Sequence, residues 1–115
     1  MTIYRRGTIC LANLNPGKKS EPGKVRPVLI LQSDLLNEAG HPSTIVVPLT
    51  TNLVDGLSRL RYRLTRRGKL ERDSDLLLDQ IRAIDNARFT SEPLTELNSD
   101  ELVTITQRLV RLIEQ

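Results

Sequence analysis

The stretch Lys18-Lys19-Ser20-Glu21-Pro22-Gly23-Lys24-Val25-Arg26-Pro27-Val28-Leu29-Ile30-Leu31-Gln32 passes abruptly from a polar, cationic loop into an apolar run. Pro22-Gly23 has turn chemistry, since proline presets φ and glycine accepts φ > 0. Pro27 drives Arg26 out of the α region toward extended geometry, which puts Arg26 at the mouth of a strand. Val28 to Leu31 is apolar on both faces of that strand, and a strand with two apolar faces is buried. Two roles fit the arginine: a guanidinium fork beside a phosphate-handling loop, or a solvated residue where a strand begins.

On the N-terminal side, Arg6-Gly7-Thr8-Ile9-Cys10-Leu11-Ala12-Asn13-Leu14 is β-prone and stops at Asn15-Pro16-Gly17. A long loop, about Asn15–Lys24, therefore joins two strands, and loops of that length are functional or disordered. On the C-terminal side, Ser33 or Asp34 caps a helical turn before the strand Thr44–Thr51. Pro48 inside that strand removes an N–H, so it belongs at an edge, a bulge or a barrel corner. Asn52–Ser58 reads as a second long loop, and Arg61–Thr65 as a half-exposed strand whose arginines decorate a surface.

Asp75–Ile84 reads as two strand pieces broken near Asp79-Gln80, where a carboxylate and an amide in an apolar run demand partners or a solvated pocket. Asn98-Ser99-Asp100-Glu101 then looks like a helix cap with Glu at the third helical position. Leu102, Ile105, Leu109, Leu112 and Ile113 follow at helical spacing. Strands followed by one terminal helix give a mainly β fold (β-barrel or α+β): a small, strongly bent sheet or open barrel with a capping C-terminal α-helix.

The chain's 115 residues fit one domain, 1–115. No apolar run is long enough to span a membrane, and Met1-Thr2-Ile3-Tyr4-Arg5-Arg6 lacks the apolar segment of a secretory signal. The lone Cys10 excludes an internal disulfide framework. With His41 the only histidine, and in a turn, the usual ligands of a zinc site are lacking. Net charge is +3, unevenly spread. Arg59, Arg61, Arg63, Arg66, Arg67, Lys69 and Arg72 stand against Glu71 alone, a cluster that suits a polyanion, although a charge run is more often just a solvated face.

Three blocks in order carry a family resemblance. Arg6-Gly7 with Leu14-Asn15-Pro16, Ser20-Glu21-Pro22-Gly23-Lys24-Val25-Arg26-Pro27-Val28, and Asp79-Gln80-Ile81-Arg82-Ala83-Ile84-Asp85 resemble the MazF/PemK/Kid family of toxins. The resemblance runs from about Arg6 to the final helix. It implies an SH3-like bent antiparallel sheet with a C-terminal helix, assembled as a homodimer. It also implies the cytoplasmic toxin of a type II toxin–antitoxin system that cuts single-stranded RNA, chiefly messenger, without metal or other cofactor. Such cleavage inhibits translation and growth, and the antitoxin's acidic tail would block it by occlusion.

The resemblance makes Arg26, Thr50 and Asp79 the candidate catalytic set. Arg26 matches the arginine of the family's "RP" motif and suits charge stabilisation better than base catalysis, because a guanidinium hardly deprotonates. Thr50 ends the matching strand motif, where its hydroxyl would donate to a phosphate oxygen; otherwise it is an ordinary β-branched strand end. Asp79 aligns with an acid assigned as base in the Kid branch, but Leu77 stands where that branch has the partner arginine. Asp79 and Gln80 would alternatively read base edges or form a structural pair. Glu21 is a further candidate for proton transfer or orientation, and Lys24 and Asn52 lie on the two loops expected to bind substrate.

With Tyr4, Tyr62 and Phe89 the only aromatics, selectivity would rest on hydrogen bonds more than on stacking. Two rivals stay open: a toxin of the same fold that poisons DNA gyrase, resembling CcdB, and a plain basic RNA-binding module.

Overall fold

The computed structural model describes residues 4–16 and 24–114. Its strands are β1 (Thr8–Asn13), β2 (Val25–Ile30), β3 (Ser43–Thr50), β4 (Arg61–Leu64), β5 (Ser74–Leu77), β6 (Arg82–Asp85) and β7 (Thr95–Glu96). The helices are α1 (Asp34–Glu38) and α2 (Ser99–Glu114). The strand order is β4-β5-β3-β2-β1-β7, with β6 also pairing β3, and every pairing is antiparallel.

The sheet bends around β3. One edge of β3 pairs with β2 (Val28 opposite Pro48), while the other pairs first with β6 (Ser43–Val46) and then with β5 (Leu49, Thr50). The Ile45 carbonyl accepts from Leu31 N–H on the β2 side, so by strand alternation Pro48 turns its nitrogen to the opposite edge. That edge is where β6 gives way to β5. The missing N–H of Pro48 thus coincides with the break in pairing, the corner its sequence position called for.

Strands β1 to β3 bury both faces, as the apolar run at Val28–Leu31 predicts. One face packs Ile9, Leu29, Val47, Leu49, Leu76 and Leu78 with Ile105 and Leu109 of α2. The other gathers Cys10, Ala12, Val28, Ile30, Val46 and Ile84 under Phe89, whose ring stacks on Tyr4 at 4.2 Å between centroids.

Local signals fall where expected. Ser33 caps α1 by accepting from Leu35 N–H at 3.2 Å. Asn98 and Glu101 form a reciprocal capping box, each side chain accepting from the other's backbone N–H at 2.9 Å. β5 and β6 are separated by a single 3₁₀ turn, Leu78–Gln80. The stripe on α2 is shorter than its periodicity implies: Ile105 and Leu109 are buried, but Ile113 is 79% exposed. Leu112 lines an open cleft with Ser58, Arg59, Arg108 and Arg111 instead of joining the core. No helix among the described residues is long and apolar enough to cross a membrane.

Arg6 and Gly7 fasten the start of β1. Arg6 donates to the Leu31 carbonyl and, at 3.2 Å, to Thr106 Oγ1 of α2, while its backbone N–H donates to Asp34 Oδ1 at 2.7 Å. Gly7 has φ +91°, and a Cβ there would lie 3.0 Å from Leu102 Cδ1. Glu21, a candidate from the sequence, lies outside the described residues, as does most of the loop before Lys24.

Candidate active site

Pro27 holds Arg26 in extended geometry at the start of β2, and Thr50 ends β3. Since Val28 pairs with Pro48, continuing the antiparallel register by two residues sets Arg26 beside Thr50. The Arg26 Nη1 donates to the Leu49 carbonyl at 3.3 Å, and Arg26 and Thr50 are both half-buried. They open onto a cleft of about 240 Å³ lined by Lys24, Val25, Arg26, Pro27, Leu49, Thr50, Thr51 and Ser74. Among the described lining residues two are cations and none is an acid. Burial pulls the Arg26 guanidinium below its ordinary pKa, yet a guanidinium keeps its proton in proteins.

Lys24 takes a positive φ of 67°, with its N–H on Asn15 Oδ1 at 2.6 Å and its carbonyl accepting from Leu14 N–H at 2.8 Å. The loop therefore rejoins the sheet at a fixed point that puts Lys24 against the cleft. Thr50 also lines the cleft, and its Oγ1 accepts from Asn52 N–H at 3.1 Å. That bond occupies a lone pair of the hydroxyl and leaves its hydrogen available to donate to a ligand.

Asp79 and Gln80 do not line this cleft. They sit on the 3₁₀ turn, anchored by buried Leu78, whose N–H donates to the Leu60 carbonyl at 2.9 Å. Asp79 is exposed and Gln80 half-buried, so solvent meets the demand for partners that their apolar surroundings posed. The set Arg26, Thr50 and Asp79 is thus divided: the first two meet in one cleft, and the third stands on the turn between β5 and β6.

The acid that the sheet buries is Asp75, only 1% exposed and paired with Thr50 across β3 and β5. It bonds the Arg63 Nε, and accepts from Arg61 Nη1 at 3.1 Å and from Val54 N–H at 3.2 Å. Burial opposes its ionisation, but these donors outweigh burial and hold its pKa below the usual carboxylate range. The Arg63 guanidinium is correspondingly pushed up by its hydrogen bonds to Asp75 and Asp55.

The alternating arginines of β4 lie at the surface, as a half-exposed strand requires, but they do more than decorate it: antiparallel pairing puts Arg63 opposite Asp75. Arg67 is likewise engaged, with Glu101 Oε2 at 2.6 Å. Much of the basic run Arg59–Arg72 is structural for that reason. The sequence shows only an acid in the run Ser74-Asp75-Leu76 and two arginines in the preceding strand; the strand register is what joins them. No group of three or more His, Cys, Asp or Glu among the described residues is arranged to hold a metal ion.

Comparison with known proteins agrees with this architecture. Residues 5–113 match the family described as PemK-like, MazF-like toxin of type II toxin-antitoxin system. Endoribonuclease MazF of Staphylococcus epidermidis is 36% identical over 112 residues, covering 93% of this chain and 88% of its own. The crystal structure of MazF from Deinococcus radiodurans superposes with a TM-score of 0.80 at 23% identity, covering all of both chains. A MazE-MazF structure from the same organism superposes at 0.77 with 22% identity, covering 98% of this chain and 97% of that one. A match across nearly the whole chain, a relative above one-third identity and the shared bent sheet lead to one conclusion: this chain belongs to the PemK-like, MazF-like toxins of type II toxin-antitoxin systems.

Proposed function

We propose that this chain is a sequence-selective endoribonuclease that cleaves single-stranded RNA without a metal. The observation that carries the proposal is the joint placement of Arg26, Thr50 and Lys24 on one cleft with no acid among its described lining. Attack of a ribose 2′-oxygen on phosphorus, with loss of its proton, forms a dianionic phosphorane. Breaking the bond to the 5′-oxygen, which takes up a proton, leaves a 2′,3′-cyclic phosphate and a 5′-OH end. The groups on the cleft match the charge that develops. The Arg26 fork binds the non-bridging oxygens, the Thr50 hydroxyl donates to one of them, and Lys24 adds positive potential. Asp79, Gln80 and Asn52, outside the cleft lining, are assigned to reading bases.

The S. epidermidis relative is named an endoribonuclease, which supports this reading over a gyrase poison or a plain RNA-binding module. A D. radiodurans relative forms a MazE-MazF structure, in line with an antitoxin whose acidic tail covers the same cationic cleft. A cytoplasmic homodimer completes the proposal.

The test incubates purified protein with defined single-stranded RNA in EDTA and sequences the fragments. Discrete cuts bearing 5′-OH ends are expected. Arg26→Ala should lower the rate by about two to three orders of magnitude, the scale for losing one transition-state donor. An unchanged rate in that variant removes Arg26 from the mechanism, and intact RNA with wild-type protein ends the ribonuclease reading.

A further inference from the structure

The Thr50 hydroxyl ends a continuous run of hydrogen bonds that begins at a buried carboxylate. Asn52 is gripped on both sides: its N–H donates to Thr50 Oγ1 at 3.1 Å, and its carbonyl accepts from Arg61 Nη1 at 2.8 Å. The same Arg61 nitrogen reaches Asp75 Oδ2 at 3.1 Å, and Val54 N–H donates to that oxygen at 3.2 Å. Arg63, bonded to Asp75 through Nε, extends Nη2 to Asp55 Oδ1 at 3.0 Å. One carboxylate thereby fastens three positions of an otherwise exposed loop: Asn52, Val54 and Asp55.

From this geometry we propose that Asp75 is a positioning residue for Thr50, acting through Arg61 and the backbone of Asn52; the proposal rests on the ribonuclease reading of the Arg26–Thr50 cleft. Asp75 does not line that cleft. Its work is to hold the loop so that Asn52 N–H occupies the Thr50 oxygen and the hydroxyl hydrogen points at the bound phosphate. A local turn bond between Asn52 and Thr50 also forms in unconstrained chains, but there it competes with other conformers and with water. Tying the far side of Asn52 to a buried acid removes those competitors.

Asp75→Asn keeps the shape but loses the charge that gathers two guanidiniums. Its kcat should fall roughly ten- to a hundredfold with KM nearly unchanged, the scale of a small misplacement of a reacting group. In a Thr50→Val background the same substitution should cost almost nothing further, whereas in an Arg26→Ala background it should keep its full factor. A merely structural Asp75 would cost the same factor in every background, and that result overturns the proposal.

Amide hydrogen exchange supplies a readout independent of RNA. Asn52 and Val54 should exchange faster in Asp75→Asn while the β1–β2 ladder is unchanged, and unaltered exchange at Asn52 overturns the proposal as well. If wild-type protein leaves RNA intact, the ribonuclease reading falls, while the exchange result still decides the tether. Should Asp75→Asn not fold, Arg61→Met takes its place: it keeps the apolar stem and deletes the one nitrogen that bonds both Asn52 and Asp75, and the same non-additivity is expected.

Discussion

Arg63 and Asp75 oppose one another across β4 and β5, and through Nε the arginine closes on a carboxylate that is almost wholly buried. With Arg61 on the other oxygen, the acid holds two guanidiniums at the foot of the exposed loop after β3. A buried carboxylate so enclosed is hard to remove, because the cations that it gathered lose their counter-charge.

Asp75→Ala should therefore destabilise the fold. Breaking a buried pair by deleting one partner costs about 3–5 kcal/mol, and partial solvation of the two arginines reduces this to about 2–3 kcal/mol here. Urea unfolding followed by circular dichroism measures it. A loss below about 0.5 kcal/mol would place the cluster with ordinary surface ion pairs.

Acid should weaken the protein through two carboxylates. Asp75 is depressed by its donors against the opposing effect of burial, and Glu101 is depressed chiefly by the Arg67 hydrogen bond. A carboxylate whose folded pKa lies below its unfolded value stabilises fully above the unfolded value, about 4. That contribution fades as pH falls through the depressed folded value. Glu101→Gln should lower stability by about 1 kcal/mol at neutral pH and flatten the decline below about pH 4. Parallel curves for variant and wild type across that window would assign the acid sensitivity elsewhere.

What the sequence disclosed was what short-range chemistry determines. Pro48 marked the corner, Asp79-Gln80 marked the break between β5 and β6, and Asn98 with Glu101 marked the start of α2. The partnership of Asp75 with Arg61 and Arg63 was hidden because it depends on strand register, a long-range property that spacing within one strand does not contain. Leu112 and Ile113 show a similar limit: helical periodicity defines a face but not how far the sheet beneath it extends. At the site, the strand mouth at Arg26 and the end of the motif at Thr50 were readable. The Asn52 N–H on the Thr50 hydroxyl was not, since a backbone donor leaves no trace in residue types.

Arg6 and Gly7 make a second stability test. Arg6→Ala removes bonds to the Leu31 carbonyl and to Thr106, parting α2 from the end of β2, at about 1–3 kcal/mol. Gly7→Ala forces a side chain into a left-handed backbone against Leu102 and should cost a similar amount, about 1–3 kcal/mol. Thermal unfolding of both variants decides this, and a Gly7→Ala protein as stable as wild type would show that the backbone there relaxes freely.

The placement of Asp79 separates the roles within the proposed site. Thr50→Val keeps the β-branched shape and deletes the donor, so single-turnover cleavage should slow by about 10- to 100-fold with little loss of RNA binding. Arg26→Lys keeps a charge but forfeits the planar fork, and should also act mainly on the chemical step. Asp79→Asn, exposed on the turn outside the cleft, should leave the single-turnover rate on a preferred RNA within about threefold and alter which sequences are cut. Comparing cleavage maps with single-turnover rates for the three variants distinguishes chemistry from selection. A loss in Asp79→Asn as large as that in Thr50→Val, on every RNA tried, would return Asp79 to the chemical step and require the turn to approach the cleft when RNA binds.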